Sequence, residues 1–516
     1  MTQKNMPMMT NIKFPDSRLQ GLLEKSANDF GDKTAIAFSE KTIAYSELDS
    51  LCNQFANALI GLGLAKGDRM ALYLPNIPQF VIAYFGALKA GATVTAISPL
   101  HREREVAFQL SDSRAQTIVA LDTLCPVVEK VRENVPIKHV IGTTLDECGF
   151  PQLLKNSSSS NPNIPIDPTE DLAALQYTGG TTGTPKAAML THSNLLSNAY
   201  TFAAAIEATP QDVFLTALPL FHIYGMTTSL TTPISLGAKM VLLPKFEAAK
   251  ACQTIQQHQI TVFCGVPTMY QMLLAHPDIA NYDLRSIRVC ISGAAPLPPQ
   301  VQKQFMAVTG GLLAEGYGLT EASPVTHCSP VDRARVRVGS IGVPLPATDA
   351  RIVDLETGQR TLGVGEVGEL AVKGPQVMKG YWNHPEETAL VLRGGWLLTG
   401  DIARVDGDGY YYVVDRKKDL IKHKGYSIYP RELEDLLYEH PAVKLCAVVG
   451  QPDVTSGEVP VAFVVLKDSA QVSEVDLKGF VNGKVASYKS LREVRFVCDL
   501  PLTAAGKVQK RSLRAL

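Results

Sequence analysis

The chain has no C-x-x-C pair, no excess of either charge and no apolar run long enough to cross a bilayer. Each absence removes a class of protein. Its nine cysteines are scattered from Cys52 to Cys498, an odd and dispersed set that fits free thiols in a reducing compartment, not a disulfide framework. A formal net charge of -1 offers no field for nucleic acid or an anionic membrane. A membrane span takes about 18 consecutive apolar residues. The strongest contender, Phe80 to Leu88, stops at Lys89 and reads as a buried helix. The stretch from Met1 to Pro15 has no sustained apolar segment of the signal-peptide kind. Internal repeats and coiled-coil heptads are missing too. The expectation is a soluble, cytoplasmic protein with no nucleic-acid partner and no transmembrane segment.

What is present begins with length. At 516 residues, 46% of them hydrophobic, the chain is too long for one core and predicts two or more domains. Its most unusual stretch runs from Tyr177 to Lys186. Thr178, Gly179, Gly180, Thr181, Thr182, Gly183 and Thr184 follow a short apolar run, with Pro185 and Lys186 just beyond. Glycine permits left-handed backbone, so successive N–H groups can converge on one anion. Threonine hydroxyls add donors, and Lys186 adds a mobile positive charge. Such a segment is equipped to hold phosphate. It is neither a Walker loop, which needs glycine where Pro185 stands, nor the G-x-G-x-x-G of a dinucleotide fold.

The rest of the chain is organised around it. From Thr42 helical and strand patterns alternate: a helix opened by Ser46, a strand 70–74, helix 78–90, strand 93–97, helix 103–111 and strand 117–120. That rhythm predicts right-handed βαβ units and a parallel sheet. Residues 156–170, with Ser157 to Ser160 and three prolines, read as a surface connection. Alternation then resumes, with Thr191 or Ser193 as helix cap, and a second doubly wound unit extends to about residue 325. From Arg335, short β-rich runs predict a small β-barrel or sheet. Gly363 to Gly368 spells G-x-G-x-x-G, but a strand follows it, so it reads as a turn. A final α+β module has Pro430 in the first turn of a helix, strands 443–449, 459–466 and 493–498, and helix 474–486.

Four further stretches concentrate chemistry-bearing residues. Glu315-Gly316-Tyr317-Gly318-Leu319-Thr320-Glu321 sets a flat aromatic that could stack on a base beside acids that could meet a phosphate-bound Mg²⁺. Asp401, after Gly400, could accept bonds from ribose hydroxyls. His222 ends an apolar strand, and Lys507 follows Gly506 near the C-terminus. Taken singly, each has a plain structural explanation: a turn acid, a strand-end histidine, a solvated lysine.

Together and in this order they resemble the adenylate-forming superfamily, which comprises acyl- and aryl-CoA synthetases, peptide-synthetase adenylation domains and beetle luciferases. The similarity spans nearly the whole chain through Tyr177 to Lys186, Gly316 to Glu321, Thr399-Gly400-Asp401, Asp415-Arg416-x-x-Asp419 and Gly506-Lys507. It implies a large N-terminal domain over 1–417, built of two doubly wound βα subdomains plus a small β-barrel, and a mobile C-terminal domain over 418–516. It also implies ATP, Mg²⁺ and CoA as cofactor and co-substrates. A carboxylate would attack the α-phosphate of ATP, and CoA thiol would then attack the acyl-adenylate. By that resemblance Thr178 to Lys186 cradle the β- and γ-phosphates. Tyr317 stacks on adenine within Glu315, Gly316 and Gly318, beside Gly293, Ala294 and Ala295. Asp401 and Arg416 hold ribose, and Glu321 with Thr320 serves Mg²⁺ and the α-phosphate. Lys507 contacts the transferring groups. His222 and Tyr224, with Gly293, border the acyl group. Lys418 is the hinge, and Lys422, Lys424 and Gly425 form the thioester-forming face.

The run from Glu315 to Pro324 is similar to bacterial fatty acyl-CoA ligases, whereas Ile421 to Tyr426 resembles 4-coumarate ligases and luciferases. The expected function is activation of a medium- or long-chain fatty acid and its transfer to CoA. An aryl acid, a separate carrier protein as acceptor, a non-catalytic nucleotide-binding regulator and a luciferase-type oxygenase remain the alternatives, and the oligomeric state, homodimer included, stays open. Ala187 and Ala188, where the superfamily usually has glycine after the lysine, and Leu491, where relatives carry proline, are departures that remove no expected catalytic group.

Overall fold

The computed structural model describes residues 14–15, 17–145, 150–178, 185–424, 426–468, 470–501 and 508–514. It divides into two compact units, residues up to 349 with 373–397, and residues 350–372 with 398 onward.

The first unit holds two large sheets. In the seven-stranded sheet the order is Gly380–Tyr381, Lys186–Thr191, Leu172–Thr178, Thr93–Ala96, Arg69–Tyr73, Thr117–Leu121 and His139–Thr143. The five strands from Leu172–Thr178 to His139–Thr143 run parallel, as alternating βα units dictate. Helix Pro78–Lys89 is buried along its entire length. That explains its near-continuous apolar sequence without a membrane, and no helix among the described residues is long and apolar enough to cross one. The nine-stranded sheet runs Val343–Pro344, Val325–Cys328, Leu312–Gly318, Val289–Ser292, Val262–Gly265, Val213–Thr216, Lys239–Leu242, Thr34–Phe38 and Lys41–Ala44. Sheet order therefore departs from chain order. The early strand Thr34–Phe38 pairs parallel with the late strand Lys239–Leu242, a long-range choice that no local pattern announces.

Local expectations meet the structure with small shifts. The helix expected to open at Ser46 spans Tyr45–Gly61, and the Ser46 hydroxyl donates to the Gly31 carbonyl instead of capping. Of the two cap candidates the structure uses Thr191: its Oγ1 accepts from the Asn194 amide at 3.2 Å while Asn194 Oδ1 accepts from the Thr191 amide at 3.0 Å. This reciprocal box starts the helix His192–Ala205.

The β-rich run forms a five-stranded sheet branched at the long strand Trp396–Val405, to which Tyr411–Arg416 pairs. The literal G-x-G-x-x-G is a turn with Gly365 at φ +83°, followed by strand Gly368–Lys373. The last module has strands Tyr426–Ile428, Ile421–His423, Gly457–Leu466 and Val443–Asp453, with Glu493–Phe496 parallel to Gly457–Leu466. Helix Pro430–Tyr438 begins on its proline, and Glu474–Asn482 ends sooner than expected, before Gly483. Leu433, Leu437, Val448, Val464 and Leu477 close the core.

One buried charge supports the first unit. Lys89, at the end of its buried helix, has a side chain with 0% exposure and meets Glu24 at 3.0 Å and Asp49 at 2.9 Å. Burial raises the Glu24 carboxyl, but Lys89 and Arg18 outweigh that and hold it below the usual range. Lys89→Met strips both carboxylates of their buried partner. Because those carboxylates retain some solvent, the expected loss is about 3 kcal/mol in chemical denaturation. The sign with pH follows from the depressed carboxyl: its contribution is full above the ordinary carboxylate range and fades as pH falls through the folded value. Acid unfolding of the wild type should show a component that Lys89→Met lacks.

Candidate active site

Strands Leu172–Thr178 and Lys186–Thr191 pair antiparallel, with Thr178 directly opposite Lys186, so they form the stem of the glycine–threonine loop. Gly179, Gly180, Thr181, Thr182, Gly183 and Thr184 lie outside the described residues, as do Gly425 and Lys507. The stem is well anchored. The Tyr177 hydroxyl donates to Asp112 at 2.6 Å, and Trp382 Nε1 donates to the Asp112 carbonyl at 3.0 Å. Thr178 Oγ1 donates to the Lys186 carbonyl at 3.3 Å.

The free edge of the stem receives Gly380–Tyr381, with Tyr381 opposite Ala188. This pairing brings Tyr381 between two expected site residues. Its ring lies 5.4 Å from Lys186 Nζ, and its hydroxyl donates to Glu321 Oε1 at 2.6 Å. Burial, then the Glu321 charge, holds the Tyr381 phenol far above its ordinary value, so it remains a donor. Lys186 also meets Glu387 at 3.5 Å, and Glu387 meets His384 at 3.3 Å. Tyr381 and Glu387 belong to the site but were not expected from sequence. The only local signal is the adjacent aromatics Tyr381-Trp382 in a polar segment.

Glu321 and Thr320 occupy a short 3-10 turn after strand Leu312–Gly318. That strand turns antiparallel against Val325–Cys328, setting Tyr317 opposite His327 with ring centroids 5.9 Å apart. Burial drives the His327 imidazole down to about 3, so a neutral ring faces Tyr317. A Cβ on Gly318 would come within 2.0 Å of the Pro324 carbonyl oxygen, which is why glycine stands there. Glu315 is buried, and its Oε2 accepts from the Leu297 amide at 3.2 Å, so this acid fixes the loop after Ala295. Gly316 lies between the two on the same strand.

The residues expected near the acyl group meet as well. The Tyr224 hydroxyl donates to the Ile291 carbonyl at 2.8 Å, and the His222 ring accepts from the Tyr224 amide at 3.2 Å. A Cβ on Gly293 would stand 3.0 Å from the Tyr224 ring. Ala294 follows at φ +69° and Ala295 is half-buried. A nucleotide could therefore find stacking, carboxylate and ammonium groups within this unit. Glu321 uses Oε1 for Tyr381, and one carboxylate is the usual protein share for Mg²⁺, which keeps waters and phosphate oxygens. The donor set fits that ion.

In the second unit Asp401 stands opposite Arg416 in the strand pair, their side chains 3.5 Å apart. Gly400, at φ +74°, donates its amide to Glu369 at 3.0 Å, and Lys417 reaches Glu369 at 2.8 Å. Lys418 lies just beyond, and its carbonyl accepts from Arg514 at 3.4 Å. Burial pushes the neighbouring Asp415 carboxyl up to about 6 against the pull of Lys510 and the Arg431 and Arg416 amides. Lys422 Nζ donates to Ser427 at 2.8 Å, and Lys424, at φ +48°, donates its amide to the Ser456 carbonyl.

Comparison with known proteins places this architecture. The family model for AMP-binding enzymes matches residues 23–382, and that for the AMP-binding enzyme C-terminal domain matches residues 432–507. A Bacillus subtilis protein named long-chain-fatty-acid–CoA ligase is 43% identical over 97% of this chain and 95% of its own length. The 4-coumarate–CoA ligase 3 of rice, Oryza sativa subsp. japonica, is 36% identical over 92% of this chain and 87% of its own. The ATP-bound crystal structure of MatB from Rhodopseudomonas palustris is 32% identical, with a TM-score of 0.89 over 97% of this chain and 99% of that one. These matches run through nearly the whole chain, and the chain belongs to the adenylate-forming AMP-binding enzyme family.

Proposed function

We propose that this chain is an AMP-forming acid–CoA ligase acting on a medium- or long-chain fatty acid. The observation that carries the proposal is the meeting of Lys186, from the rim of the loop stem, with Glu321, from the turn after Tyr317, around the single ring of Tyr381. A cation for phosphate and an oxygen for a hard metal ion are thereby set side by side. The 43% identity to the Bacillus subtilis long-chain-fatty-acid–CoA ligase supports the choice of acid.

In this reading a carboxylate oxygen of the acid attacks the α-phosphorus of ATP, and the bond to the pyrophosphate oxygen breaks. The CoA sulfur then attacks the acyl carbonyl, and AMP leaves with the electron pair. Carboxylate and triphosphate repel each other, so the protein must put positive charge and N–H donors where they meet. Such preorganised groups are worth about 10²–10³ in rate each. Thr178 to Lys186 hold the pyrophosphate end, Tyr317 and the Gly293-Ala294-Ala295 turn take the adenine, and Asp401 with Arg416 takes the ribose. Mg²⁺, when bound through Glu321 and with Thr320 beside it, neutralises phosphate charge. Lys507 serves the transferring groups in the first half-reaction. His222 and Tyr224 line the acyl site.

We place the domain boundary at 417/418 with Lys418 as hinge. Support comes from its position between strands Tyr411–Arg416 and Ile421–His423. Lys422, Lys424 and Gly425 then serve the CoA half-reaction. A cytoplasmic setting belongs to the proposal, supported by cysteines that are all free among the described residues. An aryl acid is the second reading, favoured by the resemblance of Ile421 to Tyr426 to 4-coumarate ligases and by the match to the rice enzyme. Pyrophosphate release across a panel of fatty and aryl acids separates the two.

Lys507→Ala should abolish acid-dependent ATP–pyrophosphate exchange while leaving acyl transfer from supplied acyl-AMP to CoA largely intact. Lys422→Ala should do the reverse. Equal damage to both half-reactions in either variant would remove the assigned roles. Gly293→Ala tests the acyl wall. The Tyr224 ring is tethered by its hydroxyl and cannot swing away, so the added methyl overpacks the site by about 1–3 kcal/mol. The expected result is a fall of roughly tenfold in kcat/KM for the acid.

A further inference from the structure

Lys186 points its charge at a site where ATP must compete with groups already present. Two such groups face it. One is the Tyr381 ring at 5.4 Å, and the other is the Glu387 carboxylate at 3.5 Å. Glu387 is not loose. It sits in the first turn of helix Pro385–Val391, and the His384 ring braces its second oxygen at 3.3 Å. Both side chains are about one-third exposed, 29% for Lys186 and 36% for Glu387, so the pair is breakable by solvent and ligands. Tyr381 adds a second constraint. Its ring takes the ammonium and its hydroxyl takes Glu321 at 2.6 Å, so the cation and the metal-facing carboxylate are each given a partner other than one another.

We propose that Glu387 is a positioning residue that holds Lys186 in the absence of nucleotide and must release it to the triphosphate when ATP binds. The inference rests on the proposed ATP-dependent reaction and adds to it a residue whose charge opposes substrate binding. An anion beside a phosphate site is costly unless it has a task. Here the task is to keep the lysine at the stem rim, extended over Tyr381. Release exchanges one charge-assisted contact for another at the same ammonium, with no bond made or broken.

The direction of the effect distinguishes this role from a structural one. Removing a competitor tightens binding, whereas damage to the fold loosens it. Glu387→Gln should lower the dissociation constant for Mg-ATP, measured by titration calorimetry on the full chain, by about threefold to fivefold, the range a pair about one-third exposed can contribute. The KM for ATP in acid-dependent pyrophosphate exchange should fall in step, and the gain should shrink as salt screens the pair in the wild type. Glu387→Asp, which keeps the charge, should return both constants toward the wild-type values. An unchanged or higher dissociation constant in Glu387→Gln, with thermal unfolding like that of the wild type, overturns the proposal. Wild-type protein that binds Mg-ATP but shows no exchange with any acid would refute the ligase reading alone, since the calorimetric comparison still decides the role of Glu387. Failure of the wild type to bind Mg-ATP would overturn both.

Discussion

The antiparallel pairing of Leu172–Thr178 with Lys186–Thr191 is the constraint on which the rest of the site depends. The neighbouring strands of that sheet run parallel, each returned by a helix, and such a connection cannot close a short loop. Reversing direction at this one point lets Thr178 face Lys186 across the stem. It also leaves an outer edge free for Gly380–Tyr381. Without that edge Tyr381 would have no register, and neither Lys186 nor Glu321 would have its present partner.

The same economy governs the strand that carries Tyr317. Strand Leu312–Gly318 begins parallel to Val289–Ser292 and ends antiparallel to Val325–Cys328. The change occurs across Glu315, Gly316 and Tyr317, where a buried acid, a residue without a side chain and an aromatic ring follow one another. Glu315 faces inward to hold the loop at Leu297, while Tyr317 faces His327. Burial keeps that histidine neutral, so it adds no charge of its own beside the ring. Lys186 and Glu321 bring opposite charges to the ring and the hydroxyl of Tyr381, and Glu387 meets Lys186 from the other side of the pair.

Much of this was legible in the sequence, and for identifiable reasons. Helix Pro78–Lys89, the cap at Thr191 and the proline start at Pro430 are local events, set by periodicity and by the hydrogen bonds of one turn. The Asp401–Arg416 and Tyr224–Gly293 pairings follow from motifs whose order is distinctive even though each motif alone is dull. What could not be read depends on distant partners. Strand Thr34–Phe38 joins a sheet whose other parallel strands begin at Val213, and its choice is made by packing across some two hundred residues. Tyr381 and Glu387 act on Lys186 only because a two-residue strand docks on the stem edge, and two residues carry no periodicity. Ser46 shows the opposite error: a good capping residue found a better acceptor in Gly31.

In the proposed function the site joins acid to thiol through an adenylate. The direct test is a single turnover with labelled hexadecanoate and Mg-ATP in the absence of CoA. Hexadecanoyl-AMP should form on the protein with one pyrophosphate released for each, and added CoA should convert it to hexadecanoyl-CoA with release of AMP. Formation of ADP and phosphate, or a thioester that arises with no adenylate preceding it, would rule out this route.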